Sequence, residues 1–550
     1  MAKKFSLITE PWLPVLLCGG ETKQLSLVEV FEQASSISAL TGTLPTEIFA
    51  TTRLLLSVMH RAIPLGDDPL EDWGNLWRAE SLPAGDITDY LRRWEDRFDL
   101  LHPTQPFMQA PDLHTAKDEP SLERLIVDSA QDGLFTSRRG SGLERISFAE
   151  AARMVLHAQA FSVSGIFPQA LGDPRGKGGK VYPLGTGFAG TLGGLILEGR
   201  SLKDTLLLNF RPDGRTETRA IDDTPVWERR PLTALPEERI AEGPRGQSDL
   251  FTWQSRRIRL VHDDEGVTGA IVCYGDPLTP QNLHMTETMS AWRYSEPQSK
   301  KFGKTVYMPL EHRTDRAVWR GLSSLLPHAM VIQKEREIRR ALTIQWVDKA
   351  VDADLVPADY LVQTHTIGIE YGTHSAVITE VISDRLSIHV ALLNSTNIEL
   401  STAAIDEVSR TEDAVRALGY LARDLSQAAG GEGVSDAENA TRQGYDQLDP
   451  LFRRWIENLS LDTDIDTAIT QWRTDTRSLL TNLANELIAA AGTTAWIGRT
   501  VQGSHLNSAR ASLKFSSALN KALPVAHETL DKPQFVAANT TTPTVEETKQ

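Results

Sequence analysis

The sequence predicts an α+β fold: a large mixed domain over residues 1–400, then an all-α four-helix bundle over 401–530. Three observations predict it. Before residue 400, short β-branched runs alternate with amphipathic helical stretches. After it, strand-like runs stop and Ala/Leu-rich helical periodicity takes over. From about Pro533 the chain turns Thr-, Pro- and Glu-rich, which predicts a disordered tail over 531–550. A chain of 550 residues has room for two or more domains and a sizeable core.

The elements follow in order. Residues 5–17 alternate as a strand with a Pro-rich end. Ser26 and Glu29 form a capping box for a helix through LVEVFEQA. Ile48, Phe49, Thr52, Leu55, Leu56 and Met59 fall on one face of the next helix. Tyr90, Trp94 and Phe98 recur every four residues and read as the core face of a helix over 86–99. LLHPTQPFMQAP (100–111) is proline-spaced and extended, with Phe107 and Met108 as buried anchors. Ser147 and Glu150 cap a helix running to Phe161. TLLLNF (205–210) reads as a buried strand or a short helix, and 211–250 as a long surface excursion.

From 250 to 310 short strands predominate: FTWQ, RRIRLVH, GAIVCYG and TVYMPLE, with HDDEG (262–266) as a turn. Helices return at 314–326 and 333–350. In the second, Arg336, Arg339 and Arg340 share a face, either solvated or a backbone-binding stripe. Two β-branched runs over 360–395, interrupted by Gly372, Thr373, His374 and Ser375, read as a β-hairpin with a small polar tip. Four helices follow, near 409–429, 436–459, 463–491 and 504–523. Ile465, Ile469, Trp472, Leu479, Leu483 and Leu487 form the stripe of the third.

Composition bounds the function. The two cysteines, Cys18 and Cys273, stand alone, so a cysteine zinc site and a disulfide framework are not expected. No run of about 18 apolar residues predicts a membrane span, and the N-terminal stretch does not read as a secretory signal. A cytoplasmic location follows by default. The formal net charge of −16 argues against binding DNA with the whole surface. Residues 133–215 nevertheless hold 11 Lys and Arg against 6 Asp and Glu, a positive island on an acidic chain. Residues 401–550 are acidic, with 14 against 20. On the last helix Arg510, Lys514 and Lys521 cluster within about 40°, either a phosphate track or a solvated face.

The island contains a stretch from Gly172 to Gly194 with nine glycines, and Arg175, Lys177 and Lys180 near its start. It is either a connector with solvated charges or a surface that lets a phosphate backbone approach closely. Gly185, Gly187 and Gly190 match G-x-G-x-x-G, but the preceding VYPL is a proline-broken strand and no acidic residue follows about 20 positions on. Upstream, the loop SAQDGLFTSRRGSGLER carries Phe135 beside Arg138 and Arg139, with Phe135 either presented to a partner or tucked into the core. Asp462, Asp464 and Asp466 mimic the start of an EF-hand. Thr467 stands where glycine is needed and Arg473 where glutamate is needed, so calcium is rejected. P-loop, zincin and nucleophile-elbow motifs are missing, which lowers the case for an enzyme.

FSLITEPWLPV, LLHPTQPFMQ, DGLFTSRRG, the glycine-rich stretch, TLLLNF and LFTWQ occur in an order that resembles the CasA family. That family is the large subunit of the type I-E CRISPR surveillance complex Cascade. The resemblance spans residues 5–525, with EPWLPV and HPTQPFMQ its most specific stretches. It implies a non-catalytic subunit without a cofactor, and a four-helix bundle behind a mixed domain. It also implies recognition of the protospacer-adjacent motif on double-stranded target DNA and help in opening the duplex for R-loop formation. The partners implied are the other Cascade subunits, the guide RNA and a nuclease-helicase recruited after R-loop formation.

By position, the resemblance assigns Phe135, with Arg138 and Arg139, to contact with the complex and guide. It places Gly176, Lys177, Gly178, Gly179 and Lys180 against the minor groove, and Gly372, Thr373, His374 and Ser375 as a wedge under the first target base pair. Arg510 and Lys514 join the DNA-binding set. Where some members read the motif with a lysine, the stretch PLTPQNLHM offers Gln281 and Asn282, both competent minor-groove readers. The wedge tip lacks the amide side chain the family pattern would supply, and the zinc-binding cysteine cluster of some members is not available here. Two competing readings stand beside this one: a metal-dependent nuclease or hydrolase with dispersed carboxylates, and a scaffold that binds only protein.

Overall fold

The computed structural model describes residues 3–126, 144–212, 222–328 and 337–524. They fall into two compact units, Met1–Ser409 with Asp449–Ile465, and Arg410–Leu448 with the chain from Asp466 onward. Mixed α/β structure fills the first and helices dominate the second.

In the first unit, the helix Pro45–Ala62 is the centre of the core. Leu54, Leu55, Leu56, Val58 and Met59 are fully buried, so burial runs round the helix rather than along one face. Its polar residues are paired. The Arg53 guanidinium meets the Glu287 carboxylate at 2.8 Å, both buried, and lies 4.0 Å from the Phe251 ring centre. Thr46 is hydrogen-bonded to His157 at 2.8 Å, tying this helix to Phe148–Phe161. Both capped helices form as the sequence predicts. Ser26 and Glu29 make the reciprocal capping box of Leu27–Glu32, and the Ser147 hydroxyl accepts from the Glu150 amide. Phe107 and Met108 are buried anchors, at 1% and 3% exposure.

A three-stranded antiparallel sheet carries the site. Its order is Ile378–His389, Leu361–Tyr371, Gly194–Glu198. The first two form the expected hairpin, in register from Leu361 opposite His389 to Glu370 opposite Glu380, with a bulge before Tyr371 pairs with Ile378. A separate hairpin is formed by Arg256–His262 and Val267–Tyr274. Its HDDEG turn closes through the Asp263 carboxylate, which accepts from the amides of Glu265 and Gly266, as turn chemistry predicts.

Several local expectations are corrected. Of the two readings of TLLLNF the short helix is the one that forms, with Thr205–Asn209 inside Leu202–Asn209, which the Ser201 hydroxyl caps. FTWQ is no strand: Gln247–Phe251 is helical, held by the Asp223 carboxylate, which accepts from the amides of Ser248 and Asp249. The excursion after Phe210 is not all surface. Trp227 is 1% exposed and donates to the Tyr90 hydroxyl, and buried Asp249 pairs with Arg229 and Arg239. The helix expected over 86–99 is Ala84–Arg93, followed by a 3-10 turn, Glu95–Phe98. The one expected over 314–326 is a 3-10 segment, Val318–Ser324.

The expected helix 333–350 begins only at Leu342 and runs to Asp352. Ile338–Arg339 pairs instead as a strand with Trp292–Tyr294. Arg339 stacks on Tyr307 at 3.9 Å, while Arg340 bonds the Leu393 carbonyl and Asp348. The shared arginine face therefore does not form; Arg336 lies outside the described residues.

The second unit contains most of Ile398–Ala429, part of Val434–Glu457, and the helices Ile465–Ala490, Gly492–Ile497 and Ser508–Ala522. A small hairpin, Arg499–Val501 with Ser504–Leu506, interrupts the helices and was not expected. The apolar stripe of the third long helix is rotated from the one expected. Trp472 and Leu483 are buried as predicted, but Thr476, Leu480 and Ala484 complete the buried face. Trp472 donates from its indole to the Thr411 hydroxyl, which pulls this face toward the neighbouring helix. Residues 531–550, expected as a tail, lie outside the described residues.

Candidate nucleic-acid interface

The glycine-rich stretch folds into a small, tightly anchored hairpin. Phe167–Pro168 pairs with Lys180–Val181 in antiparallel register. At its tip the Lys177 amide donates to the Lys180 carbonyl at 2.8 Å, and the Lys180 amide returns a bond at 3.3 Å. Two residues, Gly178 and Gly179, make the turn with φ of +61° and +76°. A two-residue loop with both φ positive suits the right-handed twist of its strands and strongly favours glycine. Open space surrounds both glycines, and Lys177 and Lys180 are exposed beside them. Neither lysine has an ion pair among the described residues. Gly176 sits differently: a Cβ there would overlap the Gln169 side chain.

Arg175 is not a free cation. It grips Asp173 with two nitrogens and donates to the carbonyls of Tyr274 and Gly275, which fastens the loop to a strand end. The later glycines are packing positions. A Cβ on Gly187 would lie 2.4 Å from the backbone of Ala160, and one on Gly190 would lie 2.1 Å from the Tyr371 hydroxyl. The weak dinucleotide pattern finds no strand-to-helix turn here; Phe188–Thr191 is a 3-10 turn.

The second element is the tip of the long hairpin. Thr373 and His374 are exposed, Gly372 and Ser375 half-buried. His374 and Ser375 adopt φ of +58° and +54°, an uncommon conformation for residues with side chains. The turn is closed by bonds from the Gly372 amide to Val377 and from the Ser375 amide to Gly372, both 2.9 Å.

The structure brings these two elements together. The Ser164 amide donates to the Ser375 carbonyl at 2.7 Å, just before the basic hairpin begins. Tyr371 donates its hydroxyl to the Phe161 carbonyl at 2.8 Å. Arg256 is the hub beneath them. It is 2% exposed and donates to the Ser162 hydroxyl and to the carbonyls of Val163 and Gly185. Its guanidinium packs against the rings of Phe167 and Tyr274. Burial lowers its pKa to about 10, so it stays charged at neutral pH. The Tyr274 hydroxyl clamps Gly165 from both sides, accepting from its amide and donating to its carbonyl. Arg256 and Tyr274 were missed in the sequence. The strand RRIRLVH carries three arginines, and nothing in its spacing marks Arg256 as the one that anchors the site.

Glu370 and Glu380 face each other across the long hairpin. The exposed positive charge at this site comes from Lys177 and Lys180, with Arg124 donating to the Ile166 carbonyl nearby.

Gln281 and Asn282 are both half-buried. Asn282 is engaged: its side-chain oxygen accepts from the Tyr307 amide at 2.7 Å and its nitrogen donates to the Thr305 carbonyl. Its φ of +60° fits that role at the end of a strand. Gln281 has no such bond among the described residues.

Arg510 and Lys514, in the second unit, are also engaged. Lys514 pairs with the nearly buried Asp424 at 2.8 Å and Arg510 donates to the His505 carbonyl. Phe135, Arg138 and Arg139 lie outside the described residues. Among those described, no group of three or more His, Cys, Asp or Glu is arranged to hold a metal ion, and no helix is long and apolar enough to cross a membrane.

Comparison with known proteins gives the site its context. The Cse1 of Thermobifida fusca superposes with a TM-score of 0.89 at 43% identity, covering 95% of this chain and 98% of that one. The CasA/Cse1 protein of Thermus thermophilus is 30% identical over 334 residues, which span 59% of this chain and 61% of that relative's length. A chain of a CRISPR RNA-guided surveillance complex shares the fold, at a TM-score of 0.60 and 15% identity over 89% of this chain and all of that one. The family model described as CRISPR-associated protein Cse1 matches residues 6–483, which takes in both hairpins, and the chain belongs to that family.

Proposed function

We propose that this chain is the large, non-catalytic subunit of an RNA-guided DNA surveillance complex. In this reading it recognises a short protospacer-adjacent motif on duplex DNA and helps open the duplex for the guide. It then offers a docking surface to a separate nuclease-helicase. Its other partners are the remaining subunits and the guide RNA.

The observation that carries the reading is the bond between the 372–375 tip and the base of the basic hairpin, Ser375 to Ser164, within a chain of the Cse1 family. A glycine turn with exposed lysines suits a minor groove about 6 Å wide, which admits bare backbone and attracts cations. A stiffened polar tip held beside it suits insertion under the first base pair to be opened. Unstacking one step costs a few kcal/mol, within reach of a wedge anchored by buried bonds. Gln281 is the side chain free to read the motif. No observation favours the metal-dependent hydrolase.

Permanganate footprinting of a motif-bearing duplex tests this. Thymines next to the motif become reactive when the complex contains this chain. Unchanged reactivity with and without the chain would contradict the reading.

A further inference from the structure

The basic hairpin has a solvent face that the lysines do not explain. Phe167 and Val181 are opposite each other and buried, at 3% and 1% exposure. Side chains alternate along a strand, so Ile166, Pro168, Lys180 and Tyr182 all face outward. The register pairs Pro168 with Lys180, and carried one rung on it sets Ile166 beside Tyr182. Both are open to solvent, Ile166 at 48% and Tyr182 at 60%. Leu171, at 58%, and Leu184, at 36%, extend the apolar surface. An exposed cross-strand pair of a large aromatic and a β-branched residue is surface that a folded chain usually buries.

Its position says what it meets. Along one edge of the hairpin the order is the Lys177–Lys180 tip, then Ile166 and Tyr182, then Ser164 bonded to Ser375. The apolar pair lies between the free cations and the 372–375 tip. The neighbouring cations, Lys177, Lys180 and the exposed Arg124 that donates to the Ile166 carbonyl, stand on a chain of net charge −16, so the surface suits a polyanion with flat apolar faces. Nucleic acid has both properties: phosphates for the lysines and a base for the ring. Arg256 beneath, packed on Phe167 and Tyr274, holds this face in place.

We infer that Tyr182, backed by Ile166, is a stacking pad for a nucleobase, and that it receives a base unstacked at the 372–375 tip. This rests on the proposed function and names a binding residue within that site.

The test uses the full chain in its assembled complex, with duplexes carrying 2-aminopurine at each position next to the motif. Stacking on a tyrosine quenches this probe. With the native chain the positions that leave the stack brighten, and one stays quenched. Tyr182→Ala abolishes that quenching and weakens binding about tenfold, as loss of one base–aromatic stack does. Tyr182→Phe and Tyr182→Trp keep both. Ile166→Ala reduces the quenching without abolishing it. Circular dichroism confirms that the variants fold.

Quenching that survives Tyr182→Ala, while Lys177→Ala with Lys180→Ala still weakens binding, overturns the pad and leaves the DNA reading standing. Failure of the Tyr182→Ala chain to join the complex without DNA overturns the pad in favour of a protein contact. Absence of any chain-dependent duplex binding overturns the proposed function and the pad with it.

Discussion

The Ser164 amide donates to the Ser375 carbonyl at 2.7 Å, and through this bond the glycine-rich stretch and the tip of the long hairpin share one foundation. They lie about 200 residues apart in the chain. Tyr371, one residue before the tip, adds the bond to the Phe161 carbonyl and packs over Gly190.

Tyr371→Phe removes that hydroxyl and leaves the Phe161 carbonyl without its partner. The cost is about 1 kcal/mol of stability, read as a lower urea midpoint. The larger effect falls on duplex opening, because the tip loses a brace. Gly190→Ala disturbs the same place by crowding the ring.

Lys177→Ala with Lys180→Ala weakens duplex binding and flattens its dependence on salt. Each lost phosphate contact removes about one unit from the slope of log K against log salt. A binding isotherm at several salt concentrations gives the number directly. An unchanged slope removes these lysines from the contact set.

Gly178 and Gly179 face open space, so substitutions there meet no neighbour and bear only on the turn. An alanine at either position costs about 1 kcal/mol, from the positive φ alone. A bulky side chain costs little more in stability but stands in the path of a groove. Gly179→Leu therefore impairs motif-dependent binding far more than it lowers the melting temperature. Gly176 is the contrast, since any side chain there displaces Gln169. Its substitution lowers the melting temperature and binding together.

His157 supplies a pH dependence. Burial pushes its pKa down to about 3 from the ordinary 6.5, so the folded chain holds it neutral. Between pH 6.5 and 3 the unfolded chain takes up a proton that the folded chain refuses. The stability is thus present above pH 6.5 and falls as pH drops toward 3. By pH 5 the loss from this one group is about 2 kcal/mol. Urea unfolding at pH 7.5 and pH 5 measures it, and His157→Gln narrows the gap between the two.

Much of the fold was legible because its signals are local. The Ser26–Glu29 box, the Ser147 cap and the polar interruption at 372–375 each act within a few residues, and the structure forms them there. What the sequence hid was set by distant partners. Asp223 caps a helix 25 residues on, which turned an expected strand into Gln247–Phe251. A strand partner at Trp292–Tyr294 claimed Ile338–Arg339 from an expected helix. Of the candidate site, the sequence marked segments rather than roles. Lys177, Lys180 and the 372–375 tip could be named from composition and spacing. That Arg175 is spent on the Tyr274 and Gly275 carbonyls, Asn282 on Tyr307 and Lys514 on Asp424 depends on contacts no spacing encodes. Arg256 was hidden for the same reason, since its partners come from four separate segments.

Replacing residues 372–375 with a Gly/Ser turn spares initial binding to the motif and impairs strand separation. Rapid-mixing fluorescence with a duplex labelled beside the motif separates the two phases. Normal opening by this variant retires the wedge.

The most direct measurement is a binding titration of the complex with and without this chain. It uses duplexes carrying every short flanking motif, at two salt concentrations. Binding depends on the motif only when the chain is present, and it weakens steeply with salt. Affinity that ignores both the chain and the motif would contradict the proposed function.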